Sequence, residues 1–222
     1  MDTKVKNALE AAVNNYAKVE QIDGQDILPG LASAFELDAP FMDKVEAMDA
    51  VFDDNQRFEE LREYSFDLLM INFFAEDVQK LEEDYLDSEE WEAIEEETLD
   101  RGSELLNILL YLKECEDDEV EPSLDDFLKE FLLVEEDEFQ DEYRIYEKVI
   151  ANQILIDSDY NEIAKVAKGL SEDDELVDLF YPLISFFNEQ KPNAAQLEEY
   201  AQAAPNKALD QALLQLIINY NS

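Results

Sequence analysis

Carboxylates are the one plentiful source of chemistry in this sequence. It holds 58 Asp and Glu, 16 Lys and Arg, one Cys and no His. Without His there is no imidazole general base, no Ser-His-Asp or Cys-His arrangement and no His-bearing zinc site. Cys115 alone cannot build a thiolate cluster. The four glycines make no phosphate-cradling loop, and no Gly-x-Ser-x-Gly elbow is present. Acid remains, and with it three kinds of chemistry: cation chelation, paired-carboxylate hydrolysis and electrostatic attraction of a basic partner.

Spacing weighs against the first two. Asp157, Asp159 and Asn161 have the one-three-five spacing that begins a calcium loop. Glu162, however, stands where that loop needs Gly, and Lys168 where it needs a bidentate Glu. The stretch therefore reads as a helix N-cap and turn. The acid runs 116–119 and 135–138 attract divalent cations weakly, as any crowded carboxylates do. Among 58 acids, two that could pair as a glycosidase dyad or hold a magnesium ion carry no information. A carboxylate and divalent-metal-dependent hydrolase is accordingly the last-ranked reading, and no cofactor is expected.

The placement of charge says more. The net charge is −42, and residues 76–142 hold 29 acids against four bases, Lys80, Arg101, Lys113 and Lys129. Such a field repels nucleic acid and anionic lipid, so neither is an expected direct partner. It attracts basic proteins, including nucleic-acid-binding ones. The expected contributors are Glu89, Glu90, Glu92, Glu95, Glu96, Asp117, Asp118, Glu119, Glu135, Glu136, Asp137 and Glu138, with Trp91 as an aromatic anchor among them. Two versions follow. Carboxylates along rigid helices imitate duplex phosphates, or an acidic face docks or neutralises a basic enzyme or subunit. The expected function is a non-catalytic module that binds a basic protein surface as inhibitor, adaptor or nucleic-acid mimic. The bland alternative is that the acidity serves only solubility.

Helices must position these residues. The 46% hydrophobic fraction, with 13 Phe and 10 Tyr, argues for a full core, and four Gly and six Pro favour long regular elements. Val5, Leu9, Ala12, Val13, Tyr16 and Val19 recur at helical period. Phe41, Val45, Met48 and Phe52 follow Pro40, which suits a first helical turn. Residues 55–85 hold no Gly or Pro and are apolar on several faces near 66–74, predicting a central helix. Within it, Asn72 reads as a satisfied buried amide or a solvent-facing point. Asp87 with Glu90, Ser123 with Asp126, Asp159 with Glu162 and Ser171 with Asp174 have capping spacing. Pro182 lies inside a helical pattern and predicts a kink or break.

The sum is one all-α domain over residues 1–222, an irregular multi-helix bundle or short helical array of about nine helices. Its most acidic surface should come from 76–142. A lone Cys fits a reducing, cytoplasmic home. The start of the chain does not read as a secretory signal, and the most apolar run, Leu68 to Ala75, is too short to span a bilayer.

Overall fold

Eleven consecutive side chains, Tyr64 to Phe74, are buried on one helix in the core. The computed structural model describes the backbone of residues 1–76, 80, 83–132 and 136–222. It describes their side chains except at 83, 130–132 and 136–143. The regular structure of the described residues is all helical, with no strand among them. In chain order they form α1 (Thr3–Glu20), α2 (Leu28–Phe35), α3 (Phe41–Asp54), α4 (Arg62–Glu76), α5 (Glu83–Leu86), α6 (Glu89–Thr98), α7 (Leu105–Asp117), α8 (Leu124–Leu132), α9 (Glu136–Ala151), α10 (Tyr160–Ala167), α11 (Phe180–Asn188), α12 (Ala194–Ala203) and α13 (Lys207–Tyr220). Two 3-10 stretches, Gln56–Leu61 and Gln153–Asp157, join α3 to α4 and α9 to α10.

An all-α fold was expected, but about nine helices is too few: thirteen α-helices stand among the described residues. The shortfall has two physical sources. The stretch 55–85 is not one helix. Phe58 and Leu61, three residues apart and both buried, share one side of a 3-10 turn before α4 begins. Elements as short as α5, with four residues, hold too few turns to display a period.

Local chemistry explains several helix starts. Asp2 caps α1, accepting from the Lys4 and Val5 N–H groups at 2.8 and 3.1 Å. Ser123 Oγ accepts from Asp126 N–H at 3.1 Å before α8, and Asp159 accepts from Asn161 and Glu162 N–H before α10. This last contact bears out the N-cap reading of the calcium-like spacing. The cap of α6 is Ser88, one residue beyond the expected Asp87. Pro40 is the N-cap of α3 and not inside its first turn. The Ser171–Asp174 pair closes a turn and opens no helix. The helical pattern that contains Pro182 breaks before it, for α11 starts only at Phe180. Pro182 then sits in the first turn, where N–H groups lack intrahelical acceptors and no kink results.

The core is a continuous apolar cluster that runs from Val5 on α1 to Tyr220 on α13. α1 and α13 lie along each other, α4 packs against α1, α3 and α7, and α11 packs against α10 and α13. Asn72 is 1% exposed. Its Oδ1 accepts from the Asp2 N–H at 2.8 Å and its amide donates to Glu76 at 3.0 Å, so it is a satisfied buried amide. Among the described residues, no helix is long and apolar enough to cross a membrane.

Candidate acidic interaction surface

The acids singled out in the sequence fall into two groups on different helices. Helix α6 carries Glu89, Glu90, Glu92, Glu95 and Glu96, all exposed. Its start is fixed by Ser88, whose Oγ accepts from the Trp91 N–H at 3.2 Å. The three acids of its first turn complement the positive end of the helix dipole. Ile94 is the one buried residue of α6. Trp91 is half-buried, with its ring 5.3 Å from that of Phe74 and 6.2 Å from that of Tyr85. It therefore fastens α6 to α4 while staying partly exposed to solvent. The opposite face of α6 presents glutamates alone, save for Ala93, and ends at Leu99, which is 79% exposed.

The second group, Asp117, Asp118 and Glu119, terminates α7 and is also exposed. Here the sequence works against the helix. Negative charge at a C-terminus faces the negative end of the dipole, at about 0.3–1 kcal/mol per charge. Glu119 also adopts φ 57, the left-handed region that favours Gly. Around it the Val120 N–H donates to Cys115 and the Glu119 N–H to Glu116, so the turn is closed despite its residue. Helix α6 is not packed along α7, so the two groups do not form one helix face. Glu135 lies outside the described residues, as do the side chains of Glu136, Asp137 and Glu138.

Most ion-paired basic residues bind acids outside these two groups. Arg62 pairs with Asp49, Asp53 and Glu59 at 3.2, 2.6 and 2.9 Å. Arg101 makes two hydrogen bonds to Asp49, at 2.9 and 3.0 Å, and pairs with Glu63 at 3.1 Å. Lys4 meets Glu116 and Lys113 meets Asp117. Among the described residues, no ion pair involves Glu89, Glu90, Glu92, Glu95, Glu96, Asp118 or Glu119. Their charge is directed outward.

Two buried carboxylates escaped sequence reasoning. Asp67, on α4, is 0% exposed and accepts from Ser103 through N–H at 3.0 Å and Oγ at 2.6 Å. Burial raises it from 3.8 to about 7, opposed by the two Ser103 bonds and reinforced by the charges of Glu63 and Glu104. Asp210, on α13, is 3% exposed and accepts from the Asn206 N–H at 2.8 Å. Burial raises it also to about 7, with the Asn206 bond opposing and Asp178 adding to the effect. A signal for Asp67 did exist: it is the one charge within the apolar run 66–74. Nothing marked Asp210 among the acids. Both carboxylates bind neighbouring backbone and serve as structural acceptors.

Two shallow cavities border these regions. One, of about 430 Å³, is lined by residues 99–104 and Glu175. Another, of about 340 Å³, lies between α1, α12 and α13 and includes Asn15, Lys18, Tyr200 and Gln211. Among the described residues, no three Cys, Asp or Glu side chains are grouped to hold a metal ion. Comparison with protein-family models, with curated proteins and with solved structures finds no match to this chain.

Proposed function

We propose that the protein acts in the cytoplasm as a non-catalytic acidic module that binds a basic protein surface through α6 and the end of α7. The observation that carries this reading is the set of carboxylates kept where local energetics oppose them. Asp118 and Glu119 stand at the wrong end of a helix dipole, beside Asp117, which Lys113 partly offsets, and Glu119 holds a left-handed backbone that Gly would hold without strain. Residues that break local rules without improving stability point to function. Solubility alone needs no charge at those positions, because any exposed site would serve.

The glutamates of α6 supply the matching electrostatic face, and the partly exposed Trp91 supplies apolar contact beside them. Charge accelerates encounter with a cationic partner, and the buried centre of the contact sets its lifetime. The finer form of the proposal is that the basic partner is a DNA-binding protein whose groove these carboxylates occupy.

Affinity capture from an extract, with nuclease present, tests this at low salt and at about 0.5 M, where the Debye length is only a few ångströms. A discrete basic protein retained at both salts supports the module, and its displacement by duplex DNA supports the groove-occupying form. A broad set of basic proteins lost at the higher salt contradicts the proposal, since unspecific charge would explain it.

A further inference from the structure

We propose that Asp67 is a proton-controlled latch on the junction between α6 and α7, holding it against α4 when protonated and loosening it when ionised. The junction spans residues 99–104 and is fastened chiefly by polar contacts. Its outer residues Leu99 and Asp100 are exposed. Its inner side meets three carboxylates of α3 and α4. Arg101 binds Asp49 and Glu63, the Gly102 N–H donates to Glu63 at 2.8 Å, and Ser103 binds Asp67 through both N–H and Oγ.

The fit at Asp67 is close. A Cβ on Gly102 would lie 2.7 Å from Asp67 Oδ1, and Gly102 holds φ +82. Ser103 Oγ also accepts from the Leu105 N–H at 3.2 Å, linking the carboxyl to the first turn of α7. The Oδ2 to Oγ contact is available in either protonation state, because a protonated carboxyl donates to the second lone pair of the hydroxyl. Ionisation therefore changes the buried charge without deleting a hydrogen bond.

The groups facing that charge do not offset it. On α4 they are Glu63 and Tyr64, and on the junction Glu104 and Arg101. Arg101 directs its guanidinium to Asp49 of α3 and to Glu63, over the Phe66 ring. Glu175 lines the depression outside the junction, and Glu104 is held by Tyr146 of α9 at 2.6 Å. Among the described residues, anions thus outnumber cations around Asp67, and its own donors come from Ser103 alone.

The sign follows. Opening returns Asp67 to water and to its ordinary value of 3.8, whereas the closed junction holds it near 7. The closed form binds the extra proton, so opening is least favourable at low pH. It becomes easier through the interval between the two values and then levels off. Between pH 5 and pH 8 the opening constant should rise on the order of a hundredfold. The latch sets how firmly the α6 glutamates are presented and so adds regulation to the binding reading. Its test involves no partner, and its failure would leave that reading standing.

Hydrogen exchange of the Ser103 amide in the full chain, corrected for intrinsic rates, gives the opening constant between pH 5 and pH 8. The amide of Leu9 in α1 reports global opening. The latch predicts the hundredfold rise at Ser103 in excess of any rise at Leu9, and its disappearance in Asp67→Asn. An equal pH dependence at both amides, or one that survives in Asp67→Asn, overturns it. Ser103→Ala gives a second arm that keeps Asp67 itself. Loss of one donor should move the midpoint of the rise to higher pH, and an unmoved midpoint also counts against the latch.

Discussion

Helices α6 and α13 represent opposite uses of the same chain. α13 buries nine of its residues, including Leu209, Leu213, Leu216 and Ile217, and lies along α1. α6 buries Ile94 alone and adds the half-buried Trp91. Helix α13 carries one acid in its first turn, Asp210, which is turned inward. Among the described residues, the acids of α6 face water without ion pairs. Stability and charge have been assigned to different elements. A helix that contributes little to the core can carry dense like charge without endangering the fold, and a helix that supplies the core cannot.

The largest effect expected from this contrast is in the core. Leu213→Ala should cost about 2–5 kcal/mol in urea denaturation, the range for truncating a fully buried Leu. Ile94→Ala should cost less than that globally, because α6 can loosen locally, yet it should alter the fluorescence of Trp91, the only Trp. Equal global losses would mean that α6 is part of the cooperative core and would break the comparison.

The buried acids sharpen it. Asp67 and Asp210 both have folded values near 7, above the ordinary 3.8. The folded state therefore holds more protons than the unfolded chain between these values, and stability should fall as pH rises from about 4 to about 7. Asp210→Asn should flatten the global profile by roughly 1–4 kcal/mol, since α13 belongs to the core. Asp67→Asn should change the local opening of the α6–α7 junction more than the global profile. Gly102→Ala should destabilise that junction by about 1–3 kcal/mol, from its positive φ and the approach to Asp67.

Smaller effects concern the exposed acids. Glu119→Gly should stabilise the protein by about 1 kcal/mol, by relieving the left-handed backbone and removing a charge from the end of α7. Thermal melting should shift upward on adding about 0.5 M salt, because screening relieves repulsion within a net charge of −42. Glu→Gln changes on α6 should alter stability by less than about 0.5 kcal/mol, as for surface sites outside any network.

The parts of this architecture visible in the sequence are those governed by near neighbours. The stripe of α1, the several apolar faces of α4 and the caps at Ser123 and Asp159 all follow from residues within a turn or two, whereas the amide of Asn72 is satisfied in part by Asp2, 70 residues away. Shifts such as Ser88 for Asp87 arise because adjacent residues had equal capping ability. Arg62 binds Glu59, three residues away. Its bonds to Asp49 and Asp53 depend on the fold of α3 back upon α4. The junction was invisible for the same reason. Arg101 to Asp49 spans 52 residues and Ser103 to Asp67 spans 36, and with 58 acids no single partner stood out. For the acidic surface, exposure could be read from charge density. The division between α6 and the end of α7 could not, because it depends on how those helices pack.

The most direct test of the central claim separates position from total charge. One variant carries Glu89→Gln, Glu92→Gln, Glu95→Gln and Glu96→Gln. A charge-matched variant carries Glu10→Gln, Asp43→Asn, Glu172→Gln and Glu198→Gln, all exposed and away from α6. Affinity for the basic protein captured at about 0.5 M salt is then measured for both. A loss of at least tenfold is expected in the α6 variant and of less than about threefold in the matched one, a difference of at least about 0.7 kcal/mol. Equal losses would show that net charge alone is recognised and would contradict a binding surface on α6.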